Sequence, residues 1–259
     1  SISLYNYQKE KVVYMLIISF FLLLILLSGW KGLYAIISLI FTGIAIIFFM
    51  MPMLFKGYEP IPITILTVAI TTIVTLLLID GPSKKTLSAI LGTIVGVIIA
   101  GTISYIASNI AHISGLTSNE AEGLIYIAEH RNVKIKGLTF SAILIASLGA
   151  IMDVAMSIAS SIFELEKSNP KSNSKELLKS GMSIGKDIMG TMSNTLILAF
   201  AGSSLNMILF IIAYGMPYRQ IVNLDFLVAE VIQGISGSIG IVLTVPITAI
   251  IASRMAKSN

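Results

Sequence analysis

Cysteine is absent from this 259-residue chain, and charged residues are scarce. Without cysteine the chain has no disulfides, no thiol nucleophile and no thiolate ligand for a metal ion. Charged residues make up 12% of the sequence and hydrophobic residues 56%, whereas soluble domains average about 25% charged residues. This balance excludes an ordinary soluble domain and is typical of a protein that crosses a membrane several times.

Positive charge and histidine are also in short supply. The formal net charge is +4, and most lysines flank apolar segments, where membrane topology explains them. We therefore expect no nucleic-acid partner. The two histidines, His112 and His130, are isolated from each other in the sequence, so we expect no metal site and no cofactor. The chain begins with Ser1 rather than Met, and we expect that something has been removed from its front.

Signatures of an enzyme are missing as well. The stretch GISGSIG at 234–240 looks like a nucleotide-binding loop, but it lies inside an apolar segment without a preceding strand. An intramembrane enzyme would need a second catalytic carboxylate, or a nucleophile and base, at matching depth. The sequence therefore predicts a protein that is not an enzyme.

Long apolar stretches predict an all-α polytopic membrane protein, with residues 1–259 forming a single transmembrane domain. Seven stretches reach the roughly 20 residues that a spanning helix needs. They are Val12–Trp30, Leu33–Phe55, Ile61–Ile79, Leu87–Ile110, Leu138–Phe163, Ile188–Tyr214 and Phe226–Ser253. Only Lys31–Gly32 separates the first two, which could instead form a re-entrant hairpin.

The distribution of lysine and arginine predicts the orientation. With the N-terminus outside and the C-terminus inside, ten of these residues fall on the inner side and seven on the outer side. The polar segment 164–181 contributes most to this difference, and we expect it to form an inner loop followed by a short helix capped by Ser174. On the outer side, 117–132 predicts a short amphipathic helix.

A carboxylate interrupts the fifth apolar stretch. Asp153 lies 15 residues after Leu138 and 10 before Phe163, or roughly 22 Å and 15 Å from the two ends of that stretch. Insertion of an aspartate at such a depth costs about 2.5–3.5 kcal/mol, and such residues commonly mark ion or proton pathways. The alternative is a hydrogen-bonded aspartate that only holds helices together.

Polar residues on three stretches suggest a hydrated interior around this carboxylate. Ser157 follows Asp153 by one helical turn, and the sixth stretch carries Asn194 and Thr195. We expect Asp153 to be the ion- or proton-coupling site, with these three residues as its hydrogen-bonding partners. Glu230, near the outer end of the seventh stretch, would be a second proton or substrate contact. Taken singly, each could be a contact between helices.

Residues 61–256 resemble one half of the helix bundle of resistance-nodulation-division (RND) exporters and of the SecF-type translocation motor. Gly149, four residues before Asp153, matches the proton-relay helix of those proteins. The stretches SIGKDIMGTMSNTLILAFAG and VIQGISGSIGIVLTVPITAII resemble the two helices that follow. The two spans in 1–60 have no counterpart, Val154 and Ser160 replace acidic positions, and no large extracytoplasmic domain separates two spans.

The whole chain resembles the YibE/F-like family of bacterial membrane proteins, which implies the bacterial cytoplasmic membrane. The predicted function is a transporter component that couples export of an unidentified small molecule or ion to protons or another ion. The alternative is a non-transporting scaffold or assembly subunit of a larger complex.

The resemblance to half of a two-part machine also implies pairing, as a homodimer or with a related paralogue. Small residues would let helices approach closely across such an interface. The candidate positions are Gly92, Gly96, Gly234, Gly237 and Gly240. The alternative is that these glycines pack only within one chain.

Overall fold

Helices form all the regular structure in the part of the chain that a computed structural model describes, residues 9–113, 134 and 137–257. They are α1 (Lys9–Ser28), α2 (Trp30–Ile44), a π-helical segment (Ala45–Met50), α3 (Met51–Phe55), α4 (Pro60–Asp80), α5 (Lys84–Ile110), α6 (Leu138–Ser168), α7 (Ser174–Ser203), α8 (Leu205–Ala213), α9 (Tyr218–Ile221) and α10 (Asp225–Lys257). The amphipathic helix predicted at 117–132 lies outside the described residues.

The predicted all-α membrane architecture is confirmed. Among the described residues, six helices are long and apolar enough to cross a membrane, and α7 with α8 adds a seventh if this pair is one span. The pair is bent by 56° at Ser204. Every predicted stretch overlaps one of these candidate spans, and the sixth overlaps the bent pair. The turn predicted at Lys31–Gly32 is corrected to Gly29, whose φ of 58° is a conformation that glycine adopts readily.

The second span runs through α2, the π-helical segment and α3 as one apolar stretch, Trp30–Phe55. Pro52 explains the widened turn before α3. A proline cannot donate a backbone hydrogen bond, and its ring clashes with the carbonyl group four residues earlier. The amide of Met51 bonds instead to the carbonyl of Ile46, five residues back, which is the π-helical pattern.

The core lies among five spans. Helix α10 packs against α5, α6 and α7, and α4 closes the bundle against α5 and α6. The main cluster of buried hydrophobic residues lies in these five helices, from Val68 to Ala252. Helix α2 packs on the outside of α4, and α1 packs on α2. The two N-terminal spans are thus attached to the surface of a five-helix bundle.

Glycines bring α5 and α10 into close contact. A methyl group added at Gly92 would overlap the side chain of Thr248, and one added at Gly96 would overlap Thr244. One turn further, a methyl group on Gly240 would lie 2.7 Å from Cβ of Ala100.

Gly237 is similarly crowded by Leu196 of α7 and Ser147 of α6, whereas Gly234 has only ordinary contacts with Phe200. Gly92, Gly96, Gly237 and Gly240 therefore pack against other helices of the same chain, which is the alternative given above. Pairing of two copies stays a prediction, and these four glycines are not available to it.

Ion pairs connect the ends of several spans on one side of the bundle. Asp80 at the end of α4 lies 3.8 Å from Lys31 of α2 and 3.1 Å from Lys85 of α5. Glu166 of α6 and Lys257 of α10 form another pair at 3.1 Å. The opposite side carries the pair of Glu59 and Lys134. Three lysines that are predicted to lie on the inner side, Lys31, Lys85 and Lys257, thus form ion pairs at helix ends on one side of the bundle.

The start of α7 differs from the prediction. Asn173, not Ser174, caps the helix. Its side chain accepts a hydrogen bond from the backbone amide of Glu176 at 2.9 Å, and the Glu176 carboxylate accepts one from the backbone amide of Asn173 at 3.0 Å. This capping box satisfies two amides that have no partner within the helix. The helix then continues for 30 residues, so no separate short helix precedes the sixth span.

Candidate functional site

Asp153 lies at the centre of α6, 15 residues from each end of this 31-residue helix. That places it about 22 Å from either end. Its side chain is exposed on the surface of the bundle, and it has no hydrogen bond or ion pair with any described residue. The carboxylate therefore faces outward at mid-helix depth, which corrects the expectation of a hydrated interior inside one chain.

The outward side of α6 is built from small residues around this carboxylate. Exposed positions recur every three or four residues, as expected for one side of a helix. They are Ala142, Ala146, Gly149, Asp153 and Ser157. The opposite side is fully buried, with Ile151, Val154 and Ile158 in the core. The apolar, branched side chains of α6 thus point into the core, and Asp153 lies on an outer surface of small residues.

Contacts between α6 and α7 fix the depth of the α7 residues. Gly181 contacts Ile162, Gly185 contacts Ile158, and both Leu196 and Ser147 contact Gly237. In each of these pairs the residue number in α6 falls by the amount by which the residue number in α7 rises. The two helices therefore run in opposite directions with a constant register. By the same register, Asp153 is level with Gly190.

The predicted partners of Asp153 are exposed near its level but do not bond to it. Asn194 and Thr195 lie within about 8 Å of it along the helix axis. The Thr195 hydroxyl donates to the carbonyl of Thr191 at 2.9 Å. No hydrogen bond joins Asp153 to Ser157, Asn194 or Thr195 in the described ranges, so the predicted hydrogen-bonding network is corrected.

Two charged residues of α7 were missed as site residues. Lys186 and Asp187 are exposed, and the register places Lys186 level with Ser157, about 6 Å from the level of Asp153. In the sequence Lys186 precedes the sixth apolar stretch, which begins only at Ile188, and it therefore belongs to the lysines predicted to determine topology. The α6/α7 polar face is our name for six exposed residues: Asp153, Ser157, Lys186, Asp187, Thr191 and Asn194.

Glu230 lies far from Asp153. Contacts of Gly237 with Ser147 and of Gly240 with Ile151 show that α10 and α6 run in the same direction at this point. The register puts Glu230 level with Phe140, about 20 Å from Asp153 along the helix axis. The two carboxylates therefore belong to separate sites, and they are too far apart for paired acid–base chemistry.

A cavity of about 400 Å³ adjoins Glu230 between α7, α8 and α10. The bend between α7 and α8 opens it, and the buried Ser204 at the bend contributes to its wall.

A second cavity, of about 410 Å³, lies between α1, α2, α4 and α6 and reaches Gly149 and Met152, next to Asp153. Two of its hydroxyls, from Thr67 and Thr71, bond to carbonyl groups of their own helix at 2.7 and 2.9 Å. Neither cavity is predictable from the sequence, since both depend on how separate spans pack.

A family model described as YibE/F-like protein matches residues 16–258. The chain belongs to the YibE/F-like family. No curated protein and no solved structure matches it. The resemblance of residues 61–256 to half of an RND or SecF-type bundle therefore stays a prediction, although those residues do supply the five-helix core.

Within the described residues of this YibE/F-like protein, no three histidine, aspartate or glutamate side chains come together as a metal site. The α6/α7 polar face carries the carboxylates of Asp153 and Asp187, the hydroxyls of Ser157 and Thr191, the amide of Asn194 and the ammonium of Lys186. Such groups are suited to transferring or binding protons and cations. The position of Asp153 makes the α6/α7 polar face the principal candidate site.

Proposed function

We propose that this YibE/F-like protein is a component of a membrane transporter that couples export of a small molecule or ion to the movement of protons or another ion. Asp153 is the coupling residue in this proposal. The observation that supports it best is an exposed carboxylate at the centre of a spanning helix, with no partner among the described residues. Ionisable residues inside a membrane are costly and are usually functional.

A carboxylate on an outer surface at this depth needs either water or another protein beside it. We propose that a second copy of the chain, or a related paralogue, covers the α6/α7 polar face. Small residues on α6 permit close helix contact, and twofold pairing brings the same surface of both copies together. Lys186, about 6 Å from the level of Asp153, would then be available to the facing carboxylate.

We place the protein in the bacterial cytoplasmic membrane, with its N-terminus outside and its C-terminus inside. Membership of the YibE/F-like family supports the location, and the excess of lysine and arginine on the proposed inner side supports the orientation. The ion pairs at the proposed inner end support the assignment of Lys31, Lys85 and Lys257 to one side.

The rival function is that of a scaffold or assembly subunit for another membrane protein. Helix α1 favours it, because none of the 19 residues in Glu10–Ser28 is buried inside the chain. A surface of this kind is available to a neighbouring helix. A scaffold, however, has no need for a carboxylate at mid-depth that exchanges protons, so titration of Asp153 distinguishes the two functions.

Proton flux into vesicles tests the transport proposal. We expect the wild-type protein, reconstituted with an entrapped pH-sensitive dye, to dissipate an imposed pH gradient faster than empty vesicles. Asp153→Asn removes the exchangeable charge and should reduce this flux to the empty-vesicle rate. Glu164→Gln, an exposed carboxylate nearer the end of the same helix, is the matched control and should keep it. Equal flux from wild type and Asp153→Asn would refute the coupling role.

A further inference from the structure

Glu230 is the only charged residue among those lining the α7–α8–α10 cavity in the described part of the chain. The cavity has a volume of about 400 Å³, and its walls are mostly aliphatic and aromatic, with Phe200, Ile208 and Ile235 among them. Ligand pockets for small molecules are commonly 300–1,000 Å³, mostly apolar, with a few polar groups that fix orientation. Size and lining thus fit a small molecule with one polar end.

The carboxylate of Glu230 is incompletely compensated. Its Oε2 atom is buried and has no hydrogen-bond partner among the described residues. The Ser204 hydroxyl interacts with the carboxylate, but the same hydroxyl lies 3.0 Å from the carbonyl oxygen of Phe200. Because a hydroxyl has one proton, it can donate to only one of these acceptors at a time.

Cationic side chains do not supply the missing charge. Within the described ranges, no lysine, arginine or histidine forms an ion pair with Glu230. A carboxylate removed from water without a partner is unfavourable, and it is normally paired with a cation or protonated.

The bend in the sixth span brings the ends of two helices to the cavity. Helix α7 ends at Ser203, and Ala201 and Ser204 at this end line the cavity. The C-terminal end of a helix carries a partial negative charge from its carbonyl groups, and the N-terminal end of α8, which begins at Leu205, carries the opposite partial charge. The carboxylate of Glu230 is therefore the group in this cavity that attracts a cation.

We propose that this cavity binds an amphipathic organic cation, with an ammonium group at Glu230 and an apolar body against Phe200, Ile208 and Ile235. This deepens the proposed transport function by naming a substrate class, and it rests on that function only for the step of transport after binding. The site lies about 20 Å from the level of Asp153, on the side proposed to be outer. Binding there and ion coupling at Asp153 are thus separate events.

A matched pair of probes tests the binding. 1-Adamantylamine and 1-adamantanol have the same apolar cage, but only the amine is cationic at pH 7. We expect calorimetric titration of the full chain in lipid nanodiscs to show saturable binding of the amine and at least about tenfold weaker binding of the alcohol, since loss of about 1.4 kcal/mol lowers affinity tenfold. Empty nanodiscs measure partition of both probes into lipid.

Three variants complete the design. Glu230→Gln keeps the shape of the side chain and should weaken amine binding about tenfold, without changing that of the alcohol. Ala201→Trp fills the cavity from an exposed position and should abolish saturable binding of the amine while Glu230 stays in place. Glu164→Gln should bind like wild type.

The results separate the two proposals. Asp153→Asn should bind the amine normally even where it loses proton flux, because the two sites are far apart. Equal binding of amine and alcohol by the wild type, or undiminished amine binding in both Glu230→Gln and Ala201→Trp, would overturn the cation site. Neither result bears on whether Asp153 couples protons.

Discussion

The outward position of Asp153 determines which groups can offset the free-energy cost of a carboxylate at mid-depth. A carboxylate inside one bundle can be satisfied by neighbouring hydroxyls, whereas one on the outer surface at mid-depth cannot be satisfied by its own chain. The sequence identified the residue and its depth, because both follow from counting along an apolar stretch. It did not show the direction of the side chain, since Ser157 and Asn194 are consistent with either an inner or an outer face.

Glycines on α5 and α6 have opposite roles, and a matched pair of substitutions tests this difference. A methyl group at Gly96 would overlap Thr244 and lie 3.1 Å from Ile151, whereas nothing lies within 4 Å of one at Gly149. We expect Gly96→Ala to destabilise the protein by about 1–3 kcal/mol through overpacking. Gly149→Ala should be neutral or stabilising by up to about 1 kcal/mol, because alanine favours helix more than glycine does.

Unfolding in mild detergent, followed by helical circular dichroism, measures both changes. Thr244→Ala removes the hydroxyl group that the added methyl group would overlap. The double variant Gly96→Ala with Thr244→Ala should therefore recover part of the lost stability. Equal stability of the two single variants would contradict the close packing of α5 on α10.

At the scale of an element, the small-residue side of α6 is the surface proposed to pair. A cysteine in place of Ala146 should form a disulfide between two copies on mild oxidation, because a twofold interface brings equivalent positions together. The chain has no cysteine of its own, so each single variant reports one position. Nonreducing electrophoresis of oxidised membranes measures the dimer.

Leu26→Cys is the control, since this residue is 79% exposed and is not among the α1 residues that line the cavity shared with α6. It should give little dimer at low protein density. Similar crosslinking at both positions would indicate random collision rather than a defined α6 interface, and absence of crosslinking at Ala146 would remove the proposed pairing surface.

Element boundaries were largely predictable from the sequence, and their interruptions were not. Apolar length determines where a helix can cross a membrane, so every span was found. The π-helical segment before Pro52 and the bend at Ser204 arise from local hydrogen bonding, which a count of apolar residues does not report. The Glu230 cavity depends on that bend and was missed for the same reason.

For the whole molecule, orientation in the membrane is the property that most affects the proposed direction of transport. A cysteine in place of Lys171, exposed between α6 and α7, should be protected from an impermeant thiol reagent in intact cells, because this connection is proposed to be inside. A cysteine in place of Asn223, exposed just before α10, should react. Mass-tag labelling before and after lysis measures both, and the reverse pattern would invert the topology.

The division of the chain into two N-terminal spans and five further spans stays a prediction, although the main cluster of buried hydrophobic residues lies in the last five spans. Hydrophobicity indicated both groups equally, so the difference came only from the resemblance to a half bundle. The sequence does not show which helices the glycines contact, because a small residue permits close approach without specifying whether the neighbouring helix belongs to the same chain.

The close contact between α5 and α10 also limits how this protein can move. Glycine or alanine lies at the contact in three successive turns, at Gly92, Gly96 and Ala100 with Gly240. Sliding by one turn would require bulkier side chains to pass through the same gap. We therefore expect α5, α6 and α10 to behave as one rigid body during the proposed transport cycle, while α8, beyond the bend at Ser204, and the peripheral α1–α2 pair accommodate the conformational change by hinge motion.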